Sequence, residues 1–124
     1  MHQLRQMHYR LDGMGYSNEP WPECGVARFL TLLDGPWATL IVRNLLLGPA
    51  RFGELREGLT GISAHTLTSR LRRFEENGIV TRTAYQEIPP RVVYELTPLG
   101  MELRPVLESM NAWALSVPEI EDRY

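Results

Sequence analysis

The chain contains no lysine: all 13 of its Lys+Arg residues are arginines. That bias by itself says little about function. Cysteine is almost as scarce. Cys24 stands alone, which excludes an internal disulfide and makes a reducing, cytoplasmic setting the expectation. No apolar run approaches the roughly 18–20 residues that a spanning helix needs, so no membrane association is expected. The opening MHQLRQMHYRLDG has no continuous apolar stretch and does not read as a secretory signal. A glycine-rich phosphate loop and a nucleophile elbow are both missing. No catalytic residue is therefore assigned, and no enzymatic activity is expected. His2, His8 and His65 form no metal-ligand spacing with Cys24, so neither a metal nor a cofactor is expected. Internal repeats and low-complexity segments are absent.

What is present fits one globular domain. The chain has 124 residues, 44% hydrophobic and 23% charged, with a formal net charge of −2. The sum hides an asymmetry. Residues 51–91 hold seven arginines and five glutamates, a local +2, while the remainder holds six arginines and ten acids, −4. Phosphate binding depends on local charge, so a mildly acidic chain can still bind nucleic acid.

The apolar pattern divides the chain into short elements. Leu4, Met7 and Leu11 have helical spacing, and GMGYSNEPWPE (13–23) reads as a linker. Val26, Phe29, Leu30 and Leu33 stripe a first helix that ends at Asp34-Gly35. Pro36 suits the first turn of the next helix, which Trp37, Leu40, Ile41, Leu45 and Leu47 make heavily apolar. Phe52, Leu55 and Leu59 stripe a third. Ser63 caps a fourth, running from about Ala64 to Asn77, with Gly78 as its left-handed stop. Two β-branched runs, Ile79–Tyr85 and Val92–Leu96, flank QEIPPR and predict a hairpin. Thr97-Pro98 opens a C-terminal helix striped by Leu103, Val106, Leu107, Met110 and Trp113. Pro105 is expected to kink or divide it. That stripe exceeds what one small core needs and points to a second subunit.

The stretch GISAHTLTSRLRRFEENGIV (61–80) carries the chemistry. On a helical wheel Leu67, Leu71 and Phe74 share one side. His65, Ser69, Arg72 and Glu76 lie opposite, flanked by Thr66, Thr68 and Arg73. Small polar residues near the N-terminus let a helix seat deep in a major groove, and the arginines can reach guanine edges or phosphates. In isolation such a face is more simply a solvated surface. The context is a short helix, a glycine-containing turn, this helix, then a hairpin with Arg82 and Arg91, which is the order of a winged helix-turn-helix. Arg91 near the hairpin tip either meets a phosphate or the minor groove, or, like Arg82, pairs with Glu87 or Glu95. The expected fold is mainly α (α+β), a winged helix-turn-helix with a two-stranded β-hairpin wing and a C-terminal dimerisation helix. Ser63, His65, Thr66, Thr68, Ser69, Arg72, Arg73 and Arg91 are the candidate DNA-binding residues. The rival reading is a winged-helix protein-interaction module that uses the same face without binding DNA.

The segments CGVARFLTLLDGPW (24–37), LIVRNLLLGPARFGELREGLTGIS (40–63) and LTSRLRRFEENGIVTRTAYQEIPPRVVYELTPLG (67–100), with a last helix ending near Trp113, resemble the HxlR-type winged helix-turn-helix transcriptional regulators. Pro36 stands where the family usually carries a basic residue before the tryptophan. The resemblance implies a homodimer on a pseudo-palindromic operator in double-stranded DNA. It places Leu103, Val106, Leu107, Met110 and Trp113 at the dimer interface. It divides the chain into an N-terminal extension (1–23) that can join that interface, a DNA-binding domain (24–96), and a dimerisation helix with its tail (97–124). It also implies that some members sense electrophiles, quinones or oxidants through a cysteine just before the first core helix, the place of Cys24. A helix N-terminus and Arg28 one turn on favour a thiolate there and Glu23 opposes it; the plain alternative is a packed small hydrophobe. Trp21, Trp37, Trp113, Met101 and Met110 either line an effector cavity between subunits or simply pack.

Overall fold

The computed structural model describes residues 23–119. The helix expected around Leu4, Met7 and Leu11, and the linker as far as Pro22, lie outside the described residues, as do His2, His8 and Trp21. By its contacts the chain divides into two compact units, the first ending at Leu40 and the second beginning at Ile41.

The described part of the first unit holds α1 (Gly25–Leu32) and the start of α2 (Gly35–Leu45). Cys24 is the N-cap of α1, in extended conformation, and its carbonyl accepts from the Arg28 amide at 2.9 Å. The expected stripe is only partly covered. Leu33 is buried, but Val26 and Leu30 are exposed and Ala27 takes the inner place. An apolar stripe on a helix is broad, and spacing alone does not say which edge is covered. Gly35 opens α2 at φ 80°, a left-handed conformation that suits glycine. Pro36 follows in the first turn, where its missing amide costs nothing.

In the second unit the rest of α2 buries Ile41, Val42 and Leu45. Leu47, expected on the same buried helix, lies past its end and is exposed. The helix runs out two residues before it, so Leu47 no longer follows the helical spacing. The helix α3 (Phe52–Gly58) is capped by Glu54, whose Oε1 accepts from the Arg51 amide at 2.7 Å. Its Leu55, and Leu59 just beyond it, are buried. A turn through Gly61 leads to α4 (Ala64–Glu76), where the Ser63 hydroxyl accepts from the Thr66 amide at 3.0 Å. Gly78, at φ 73°, ends the helix in the left-handed form.

Strands β1 (Val80–Tyr85) and β2 (Arg91–Leu96) pair antiparallel, Val80 opposite Leu96 and Tyr85 opposite Arg91. Only the base of the hairpin, Val80 and Leu96, is buried. A lone two-stranded ribbon is marginal in water, and this one gains a third partner. Ala50 and Tyr94 exchange both backbone bonds, at 2.9 and 2.8 Å, tying β2 to the segment before α3.

The last part is two helices, α5 (Pro98–Met101) and α6 (Leu103–Ser116). Thr97 caps α5 by accepting from the Gly100 amide, and its hydroxyl donates to the Gly78 carbonyl at 2.6 Å. The helix is divided, as Pro105 leads one to expect, and the break falls at Glu102, three residues ahead of the proline. Proline has no amide to donate four residues back, so the regular ladder must be renewed ahead of it. Pro105 then sits in the first turn of α6, where no donor is required. Arg104 braces this junction, its Nη2 donating to the Leu46 carbonyl at 2.7 Å.

Candidate nucleic-acid interface

The helix α4 separates its two faces cleanly. Leu67, Leu71 and Phe74 are at most 1% exposed. His65, Thr68, Ser69 and Arg72 are exposed, while Thr66 and Arg73 are half-buried. The buried side chains fix the rotation of the helix about its axis, so the exposed set must face outward. Ser63 and Thr66 are joined, the Ser63 hydroxyl donating to Thr66 Oγ1 at 2.9 Å. Both hydroxyls thus hold the start of the helix. Arg72 extends from the exposed face of α4; Arg73 is engaged within the chain. Beside the start of α4 an open surface concavity is lined by Arg56, Glu57, Thr60 and Ser63.

The hairpin settles the pairing of its arginines. Arg91 grips the Glu87 carboxylate with two nitrogens, Nε at 3.1 Å and Nη2 at 2.8 Å from Oε2. Its guanidinium carbon lies 4.0 Å from the centroid of the Tyr85 ring. The Arg91 hydrogen bond holds the Glu87 carboxyl below its ordinary range, and the same bond raises Arg91. Glu95 is not the partner of either arginine across the ladder: it faces Thr81, and Arg82 faces Tyr94. Tyr85 and Glu87 were not singled out from the sequence as site residues. The symmetric placement of Tyr85 and Arg91 around QEIPP was the available signal, but it becomes a stack only once the register is known.

The C-terminal stripe splits in two. Leu107 is buried in its own chain at 8% exposure, and Leu103 is half-buried. Val106, Met110 and Trp113 form an exposed line at helical spacing, Trp113 at 71%. Met101 is exposed as well. Cys24 is half-buried at the start of α1. Among the described residues no cluster of His, Cys, Asp or Glu could hold a metal ion, and no single helix is long and apolar enough to cross a membrane.

The family model described as HxlR-like helix-turn-helix matches residues 32–121. The uncharacterized HTH-type transcriptional regulator sll1512 of Synechocystis is 47% identical over 88 residues, 71% of this chain and 65% of that relative's own length. Among solved structures, the redox regulator HypR in its oxidized form is similar with a TM-score of 0.72 at 34% identity, covering 78% of this chain and all of HypR. The quinone-bound YodB from B. subtilis gives 0.64 at 35% identity, covering 74% of this chain and 97% of YodB. These structures share the winged-helix architecture described above.

Proposed function

Because the chain belongs to the HxlR-like helix-turn-helix family of transcriptional regulators, we propose that it binds a pseudo-palindromic operator as a homodimer, with α4 in the major groove and the β1–β2 hairpin alongside. The observation that carries this reading is the division of α4. Three side chains lock one face inward, and the face left outside offers His65, Thr68, Ser69 and Arg72. A protruding helix with small polar residues first and an arginine farther along fits the depth and hydrogen-bond pattern of the major groove. Ser63 and Thr66 serve as cap and phosphate neighbour, Arg73 supports from the flank, and Arg91 acts from the wing.

In this reading residues 24–96 form the DNA-binding domain and 97–124 the dimerisation helix and tail, with 1–23 joining the interface. The exposed line of Val106, Met110 and Trp113 supports a second subunit, because an apolar helix face left in water invites burial. Leu107 contributes from its own core and Leu103 from the margin. The protein works in the cytoplasm, on DNA, without catalysis. Solved relatives include a redox regulator in its oxidized form and a regulator with quinone bound. By that likeness, modification of Cys24 alters operator binding.

Selection of bound duplexes from random sequence, followed by a salt titration of the winner, tests the whole reading. DNA binding must weaken steeply as salt rises, in proportion to the phosphates neutralised. Failure to enrich any sequence would overturn it.

A further inference from the structure

The wing holds an arrangement whose use is not stability. Arg91, Glu87 and Tyr85 meet at its tip, with the guanidinium carbon over the ring and one edge on the carboxylate. Exposed ion pairs add little to folding, so the effect of this one lies elsewhere. Nε and Nη2 face Glu87, while Nη1 makes no hydrogen bond among the described residues. A guanidinium carries five N–H groups, so an outer edge stays available even while the pair is closed. The Tyr85 ring, 4.0 Å from the guanidinium carbon, and the Glu87 carboxylate together restrict the directions that edge can take. From Val80 to Leu96 the hairpin carries two arginines and two glutamates, and so no net charge.

We propose that Glu87 and Tyr85 make Arg91 a specificity-determining side chain, neutralised on arbitrary DNA and presented in one orientation to the operator. This rests on the reading that the wing touches DNA. Non-specific affinity comes from cations replacing condensed counterions along the phosphates. An arginine already matched to a carboxylate brings no net charge to that exchange. A neighbouring phosphate must displace Glu87, or accept Glu87 close to its own charge. On the operator the outer N–H edge can instead donate to a base or sugar acceptor at a defined position, with the pair left closed. The wing then adds to specific binding more than to non-specific binding. Glu87 acts through Arg91 and is a positioning residue.

The experiment compares wild type, Glu87→Gln, Arg91→Ala and the double variant by fluorescence anisotropy across a salt series. The probes are a duplex selected from random sequence by the wild type and an unselected mixed-sequence duplex. Glu87 is exposed, so the substitutions leave the fold intact, with circular dichroism as the check. Glu87→Gln should raise affinity for the mixed-sequence duplex by about eightfold per wing at 0.1 M salt, and steepen the salt slope by about one per wing. Affinity for the selected duplex should rise less, so the ratio between the two probes falls. In the Arg91→Ala background, Glu87→Gln should raise affinity for both probes alike, by removing simple repulsion, and leave the ratio between them unchanged. The proposal is overturned if Glu87→Gln leaves mixed-sequence affinity and slope unchanged or lowers them. It is equally overturned if the ratio between the two probes falls as far in the double variant as in Glu87→Gln, since Glu87 would then not act through Arg91. If Arg91→Ala alters binding to neither probe, the wing reading itself fails.

Discussion

Arg72 is the side chain on which base reading is expected to depend. It lies on the exposed face of α4, one residue past the buried Leu71 and two before the buried Phe74. Replacing it with alanine should cost about 1–3 kcal/mol on the selected duplex and relax preference at one position in each half-site. Titration against single-base variants of that duplex checks this; uniform weakening across all of them would make Arg72 a phosphate contact instead. Gly100 shows a different kind of constraint. A Cβ there would run into the Ile79 carbonyl and crowd the Leu96 side chain. That carbonyl belongs to backbone already bonded by the Thr97 amide at 3.0 Å, so it cannot yield freely. Gly100→Ala should therefore destabilise the fold by about 1–3 kcal/mol, measured by urea unfolding.

Among the elements, α4 and the hairpin each combine a structural demand with a place in the proposed DNA-binding surface. Ser63 caps α4 through its hydroxyl. Aspartate is as good a cap as serine, whereas alanine costs about 1 kcal/mol. Ser63→Ala should lower stability by that amount and Ser63→Asp should not. Beside a phosphate the added charge of Asp would repel, so Ser63→Asp should weaken DNA binding while unfolding at wild-type denaturant concentration. Equal DNA affinity for Ser63→Asp and wild type would move the backbone away from the start of α4. In the hairpin, Arg91 lowers the Glu87 carboxyl from its ordinary value of 4.5. The sign follows directly: the pair is fully formed above that ordinary value and is lost as pH falls through the lowered one. The Glu87 carboxyl followed by NMR should titrate below 4.5 in the wild type and return toward it in Arg91→Ala.

At the scale of the whole molecule the exposed line on α6 makes the strongest demand. Val106, Met110 and Trp113 would be covered by a second copy in a dimer, and the two recognition helices would then meet major grooves about one helical turn apart. Light scattering should show a dimer at micromolar concentration. Trp113→Glu places a charge on that face and should yield a folded monomer with far weaker operator binding. A wild-type monomer would end the homodimer reading. Cys24 joins this prediction. If an adduct on its half-buried thiol displaces neighbouring groups, half-site spacing changes and operator affinity falls, whereas Cys24→Ser binds DNA without responding. Unchanged affinity after diamide treatment, with the adduct verified by mass, would show that Cys24 is no switch.

Local patterns were enough to determine the helices from Gly25 to Glu76, the hairpin and the cap at Thr97, because each rests on rules that act within a few residues. Leu67, Leu71 and Phe74 repeat at helical spacing, Ser63 and Gly78 bracket them, and β-branched runs flank a proline turn. The outward face of α4 followed, since a buried stripe dictates its opposite. The position of the break at Glu102, the exposure of Leu47, the outward turn of Val26 and Leu30, and the burial of Leu107 were not legible. Those outcomes depend on where one element ends and which edge of an apolar stripe meets its surroundings. The tie between Ala50 and Tyr94 and the meeting of Tyr85, Glu87 and Arg91 belong to the same class. They join residues through strand register and turn geometry, and a shift of one residue in that register would send every hairpin side chain to the other face. Sequence alone determined the elements and the residue types each carries; tertiary structure decided which side chains hold one another and which face outward.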